Sequence, residues 1–270
     1  MKQRNNLLTI IVLLLFLVYM LFPILATYIF SIATRWDRTV MPEGYTILWY
    51  QTAHASAYFI SSLRNSLILS LSSVLVSLLI VVPTVYWVHI RLPHGKPLLE
   101  VLMILPFGIP GVVLALALVQ VFTFPPLSRS PYLLVGATVI FSMPFMYRSV
   151  SNSIQAINVR DLTEAAQSLG ADIGSILRRV IIPNIFPGIM SGSLLVFATV
   201  FAEFTLAKLI TGAGFKTFPL LLVEYTRING SVAAALSVIS FTIAWVVSLL
   251  ILLVSRRGRG QGRQGAFRGQ

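Results

Sequence analysis

Six stretches of this 270-residue chain contain no Asp, Glu, Lys or Arg: 7–34, 65–90, 101–128, 130–147, 180–202 and 228–255. Each is close to or beyond the roughly 18–20 residues that carry a helix across a bilayer. In hydrocarbon every backbone N–H and C=O must find a partner within the protein, which leaves helices or a closed barrel. Barrel strands alternate apolar and polar side chains with a period of two, and these runs do not. With 57% hydrophobic and 10% charged residues, against about 25% charged in ordinary globular domains, the main solvent is lipid. The sequence predicts an all-α integral membrane protein with six transmembrane helices. The stretch 7–34 is too long for the apolar core of a cleaved signal peptide and is read as the first of them.

The basic residues give an orientation. With the N-terminus inside, the inner segments collect thirteen Lys and Arg, including Arg91, Lys96, Arg148, Arg178 and Arg179, against seven outside. That asymmetry fits the positive-inside rule and places both termini in the cytoplasm. The net charge of +12 is then a topology signal, not a nucleic-acid footprint. Cysteine is absent, which excludes disulfides and thiolate metal sites.

Residues 1–255 are expected to form the membrane domain. An outer segment at 35–64 carries Trp36, Trp49 and Tyr50, aromatics suited to the membrane interface. The second span should end at Arg91, before a tight turn at 93–97. The third contains Pro106 and Pro110, and proline removes a ladder bond and collides with the preceding turn, so a kink or break is expected. Membrane helices tolerate proline for packing reasons alone; the second reading is a discontinuous helix beside a transport pathway. Residues 256–270, rich in Arg, Gly and Gln, are read as a disordered basic tail that attracts anionic lipid.

The longest inner loop, 149–184, is the polar interruption. At its centre, 161–183 reads as a helical hairpin. Asp161 and Glu164 have capping-box spacing and suit the positive end of a helix dipole. Ala165, Ala166 and Leu169 continue the helix, and Gly170 suits its stop. A second helix is expected from Asp172 or Ile173 to Ile182, ending before Pro183. Such a compact knob fits the groove of a soluble partner; an amphipathic hairpin lying on the inner membrane face is the other reading of the same residues.

Glu164-Ala-Ala-x3-Gly170-x9-Val180-x-Ile182-Pro183 resembles the EAA loop, E-A-A-x3-G-x9-I-x-L-P, of ATP-binding cassette importer permeases. Val180 and Ile182 depart from the pattern but keep its apolar character. The resemblance implies the type I importer permease fold, with Asp161, Glu164, Ala165, Ala166, Gly170, Ala171 and Pro183 in a coupling helix that docks on a cytoplasmic ATPase. It also implies two such ATP-binding subunits, a second and homologous permease subunit, and an extracytoplasmic solute-binding protein. Secondary motifs, among them 45–50, 95–97, Pro106-x3-Pro110 and 217–220, are similar to the spermidine/putrescine, 2-aminoethylphosphonate and ferric-iron branches. The implied cargo is a small polar solute.

Glu203 is the one acid inside an apparent membrane helix, where ionisable groups face protein or water and often mark a pathway; packing against another helix is the equal alternative. Ala202-Glu203-Phe204 resembles the Gly-Glu-Phe segment of iron, sulfate and phosphonate-type permeases, whereas polyamine permeases tend to show an acidic pair here. Glu203, Phe204, Pro106 and Pro110 are the pathway candidates. The stretch from Gly212 to Thr217 is not a P-loop, because Phe215 stands where glycine must precede the lysine. His54, His89 and His94 lack metal-ligand spacing, and no nucleophile–base–acid set assembles. No cofactor, metal or catalysis is expected of this chain, so ATP hydrolysis belongs to a partner. An ion-gradient carrier or channel is the rival reading, and it leaves the hairpin without a purpose.

Overall fold

The computed structural model describes residues 2–265, with side chains described for 8–253. Thirteen α-helices follow in chain order: α1 (Lys2–Ile32), α2 (Leu48–Ala55), α3 (Phe59–Arg91), α4 (Lys96–Ile104), α5 (Gly111–Val121), α6 (Pro131–Gln155), α7 (Val159–Ser168), α8 (Ile173–Ile176), α9 (Ile182–Asn184), α10 (Phe186–Phe201), α11 (Thr205–Ile210), α12 (Phe218–Thr226) and α13 (Gly230–Gly265). Among the described residues there is no strand, only an isolated bridge between Ala33 and Tyr45. The side chains of the basic tail expected over 256–270 lie outside those described, and 266–270 lie outside the described residues altogether.

Four helices are long and apolar enough to cross a membrane by themselves, at Leu8–Ile32, Phe59–Arg91, Pro131–Gln155 and Gly230–Leu253. Two further spans exist only as bent pairs: Pro93–Gly108 with Gly111–Val121, at 97°, and Ile173–Asn184 with Phe186–Phe201, at 78°. The six expected spans correspond to four continuous helices and, with each bent pair taken as one span, two broken ones. The break at Pro106 and Pro110 is the expected one. Pro106 lies in a 3₁₀ turn, Leu105–Gly108, and Pro110 caps α5 with extended backbone, since neither ring allows the α ladder to continue.

The chain divides into two compact units. One contains the chain up to Ile60 together with Leu221–Ile243. Within it, the Trp49 indole N–H donates to the Ala33 carbonyl at 2.7 Å, and Ser31 Oγ lies 2.7 Å from the Tyr50 hydroxyl. These bonds tie α2 to the end of α1. An exposed Arg35–Asp37 ion pair at 2.8 Å closes the adjoining turn and adds little at such an exposed position.

The other unit, Ser61–Leu220 with the chain from Ala244, carries the polar hairpin. Its central contact is α10 against α6. A Cβ built on Gly188 would stand 2.6 Å from the Ser149 carbonyl oxygen, and one on Gly192 would stand 2.7 Å from Met146 Sδ. Lipid offers no hydrophobic drive between helices, so close backbone approach through small residues four apart is how such helices hold together. The helix α3 presents Ser62, Ser66, Ser70, Ser73 and Ser77, all buried, along one face. Ser73 shares a hydrogen bond of 2.8 Å with Thr138 of α6, and Ser66 Oγ accepts the Phe218 N–H at 2.7 Å. Small hydroxyls here serve as packing surface and cross-helix glue.

Candidate functional site: a closed polar hairpin

The hairpin is made of α7 and α8. Apolar and small residues of α7 recur at helical spacing: Val159 and Thr163 are buried, while Leu162 and Ala166 pack against the core. This face sits on the end of α3, where the Thr163 hydroxyl lies 3.2 Å from the Tyr86 hydroxyl and donates to the Val159 carbonyl at 2.7 Å. Beside it the Arg91 guanidinium lies 5.9 Å from the centre of the Trp87 ring. The hairpin is therefore seated on the helical core by one face and leaves the other open.

The start of α7 differs from the expected capping box. The helix begins at Val159 with Asn158 in the N-cap position, so Asp161 stands at the third helical residue and does not cap. Its carboxylate accepts from the Asn158 side-chain amide. The motif glutamate, Glu164, accepts from Arg160 Nε at 2.9 Å, one turn back. Both side chains are mostly exposed, so this i,i+4 pair is worth a few tenths of a kcal/mol and leaves the glutamate available.

The tip is built by two capping devices. Gly170 takes φ +80°, the Gly170 N–H donates to the Gln167 carbonyl at 2.9 Å, and the Ala171 N–H donates to Ala166 at 3.1 Å. Those two bonds define a Schellman stop, which needs a residue tolerant of the left-handed region. Asp172 then caps α8, accepting from the Gly174 and Ser175 N–H groups at 3.0 and 3.3 Å. The Ser175 hydroxyl first, and then these backbone donors, stabilise the anion and hold the Asp172 carboxyl below the ordinary aspartate value. Leu169 projects from the tip at 90% exposure. The open face thus brings together Asp161, Glu164, Ala165 and Gly170, all exposed, with Ala171 half-buried behind them.

Pro183 falls elsewhere than expected. The second helix does not end before it. From Leu177 to Ile181 the winding opens to a π turn, in which the Ile182 N–H donates to the Leu177 carbonyl, and α9 carries the chain through Pro183 to Asn184. The π turn accommodates a proline that an α ladder rejects.

Of the pathway candidates, Pro106 and Pro110 lie at the break of the first bent pair, whereas Glu203 and Phe204 follow the end of the second. Pro106 is buried and Pro110 exposed. Glu203 is not inside a helix: α10 stops at Phe201, α11 starts at Thr205, and Glu203 and Phe204 form the gap. Glu203 Oε1 accepts the Leu206 N–H at 2.7 Å, so the acid closes the first turn of α11. In turn α11 packs along α5, which sets the gap before α11 and the break at Pro110 on neighbouring elements. Gly212–Phe215 is a 3₁₀ turn whose following Lys216 carbonyl accepts from Asn65 Nδ2 at 3.0 Å, a structural contact. Among the described residues no three His, Asp or Glu side chains gather as metal ligands. Two features escaped sequence reasoning, the gap at 202–204 and the glycine contact of α10. Gly188-x3-Gly192 is the sequence signal for the second.

A core of helices long enough to cross a bilayer, two of its spans broken, with a capped polar hairpin seated on one end, defines a class of membrane transport subunit. Residues 93–259 match the family described as "Binding-protein-dependent transport system inner membrane component", and the chain belongs to it. It is an importer permease subunit of the ATP-binding cassette type. It is 25% identical over 226 residues to the spermidine/putrescine transport system permease protein PotC of Escherichia coli K12, covering 83% of this chain and 84% of that one. It is 26% identical over 251 residues to the putative 2-aminoethylphosphonate transport system permease protein PhnV of Salmonella typhimurium, covering 90% and 92%. The fold matches a chain in the crystal structure of a bacterial ABC transporter involved in import of the acidic polysaccharide alginate. There the TM-score is 0.72 at 17% identity, over 93% of this chain and 96% of the other.

Proposed function

We propose that this chain lines, together with a second permease subunit, the import pathway for a small polar solute, and that its hairpin couples the pathway to ATP hydrolysis. The observation that carries the coupling role is the hairpin itself. Its inner face is fixed to α3, its tip is closed by two caps, and the motif residues Glu164, Ala165 and Gly170 remain on the open side. A shape held that firmly can transmit displacement without absorbing it. Two cytoplasmic ATP-binding subunits would receive the hairpins of the permease pair, and an extracytoplasmic solute-binding protein would deliver cargo at the opposite mouth. The alginate importer crystallised with a pentasaccharide-bound periplasmic protein supports that arrangement. Closure of the ATPases drives the cycle only if their closed state binds the hairpin geometry of the outward-facing permease preferentially. The excess of basic residues on the inner segments supports a cytoplasmic position for the hairpin and both termini.

The solute class follows the relatives: a polyamine or an aminoethylphosphonate, with ferric iron as the third branch that the Glu203 segment resembles. Glu203, Phe204, Pro106 and Pro110 are assigned to the pathway, because the break at Pro110 and the gap before α11 free backbone and side chains to line a polar route through lipid.

Purification of the tagged chain from its native membranes tests both roles. An ATPase should co-elute, hydrolyse ATP in a vanadate-sensitive manner, and be lost with Glu164→Arg, which reverses the charge on the open face while membrane insertion persists. A lone chain with protonophore-sensitive uptake would replace the importer by a gradient-driven carrier. For Glu203 the informative pair is Gln and Ala. Glutamine keeps an acceptor for the Leu206 N–H but removes the charge, so it should impair uptake with ATPase association intact. If only Ala has an effect, Glu203 is a cap and nothing more.

A further inference from the structure

The hairpin and α10 are two firm bodies joined by a weak segment. The hairpin is closed by the Schellman stop at Gly170 and the Asp172 cap. The α10 helix is locked on α6 through Gly188 and Gly192, where even a methyl group collides. Between them, residues 177–185 have an impaired backbone ladder. The π turn Leu177–Ile181 holds its last bond five residues apart, Ile182 N–H to Leu177 O. Rewinding it as α-helix needs an N–H at Pro183 to reach the Arg179 carbonyl, and the proline ring has none. Asn184 adds a side-chain tie of its own, Nδ2 donating to the Val180 carbonyl at 2.8 Å, which does not replace the donor missing at Pro183. Pro187 withholds a second donor four residues on. Between the two prolines lies Ile185, fully buried, where the axis turns by 78°.

We propose that 177–185 is a built-in joint: the π turn and the proline-flanked bend at Ile185 let the hairpin swing against α10 without either body deforming. Single π turns inside α-helices recur at functional sites, and a segment short of backbone hydrogen bonds opens at lower free energy than the helices beside it. Pro183 thereby acquires a role separate from docking: it keeps the joint from winding into a continuous, stiff helix. The inference rests on the coupling role proposed above, and its failure is separable from failure of that role.

The test uses the complex purified with the tagged chain, and follows amide hydrogen exchange with and without ATP and vanadate. In the native sequence, exchange across 177–186 changes with nucleotide state while 190–200 of α10 stays constant. Pro183→Ala supplies the missing donor, so it should abolish that change and lower uptake about tenfold, a coupling loss within the 5–150-fold range of allosteric couplings, with the ATPase still bound. Asn184→Ala, at an exposed position, removes only the carbonyl cap and should speed exchange of 177–186 in the nucleotide-free complex, which keeps the test informative if Pro183→Ala misassembles. Exchange over 177–186 that ignores nucleotide, or that neither substitution alters, overturns the joint. Absence of any ATPase from the purified material overturns the coupling role and the joint with it.

Discussion

At the α6–α10 contact a Cβ on Gly188 would press into Ser153 and the Ser149 carbonyl, whereas at the hairpin tip nothing lies within 4 Å of a Cβ on Gly170. The first glycine is there for space, and its own backbone is ordinary helix. The second has all the space a side chain needs but sits at φ +80°. One therefore protects the union of two membrane helices, and the other the closure of a local turn. The consequence is a division of labour: the core resists change in volume, and the hairpin resists change in backbone conformation.

Three substitutions sharpen this contrast, in falling order of effect. Gly188→Val forces a branched side chain against backbone that cannot retreat. It should cost about 3 kcal/mol or more and appear as loss of the monodisperse, folded species in detergent. Gly170→Ala meets no neighbour and costs only the left-handed backbone penalty of about 1–2 kcal/mol. Thermal melting of the whole chain should hardly move, while exchange at 166–172 rises; Gly170→Asn, which tolerates that region, should recover much of the difference. If Gly170→Ala unfolds the chain, the hairpin is not the separable element described. The smallest effect concerns Asp172. Its folded carboxyl titrates below the ordinary value, because Ser175 and Gly174 donate to the anion. The cap's contribution is then complete above the ordinary aspartate range and is lost as pH falls through the lowered value. Melting followed down through acid pH should show a slightly smaller loss in Asp172→Asn than in the native sequence.

The sequence and the structure agree most closely where lipid dictates the answer. Long charge-free runs without a two-residue alternation point to helices, so the four continuous spans and the two bent pairs were legible as apolar segments. Pro106 and Pro110 announced their break because a missing N–H is a local property. The gap at 202–204 was not legible: Glu203 stands within a run that is apolar on both sides, and its carboxylate turns out to cap α11 rather than to sit along a continuous helix. Asp161 misled for a related reason. Its spacing to Glu164 satisfies the capping pattern, but Val159 packs into the core and draws the helix start back to Asn158. Gly170 was read correctly, since its stop depends on neighbouring residues alone.

Unaided, the sequence determined which segments are apolar enough to enter lipid and where the polar loop falls, both consequences of short-range chemistry. Tertiary structure decided which face of the hairpin is seated on α3 and which is left open, because that depends on Thr163 meeting Tyr86 across 77 residues of chain. It also decided that α10 and α6 meet without room for a Cβ at Gly188 or Gly192, and that the chain passes Pro183 by a π turn instead of stopping. Spacing along one segment specifies its own helix; which partner that helix will touch, and how closely, is set by chain far away in sequence.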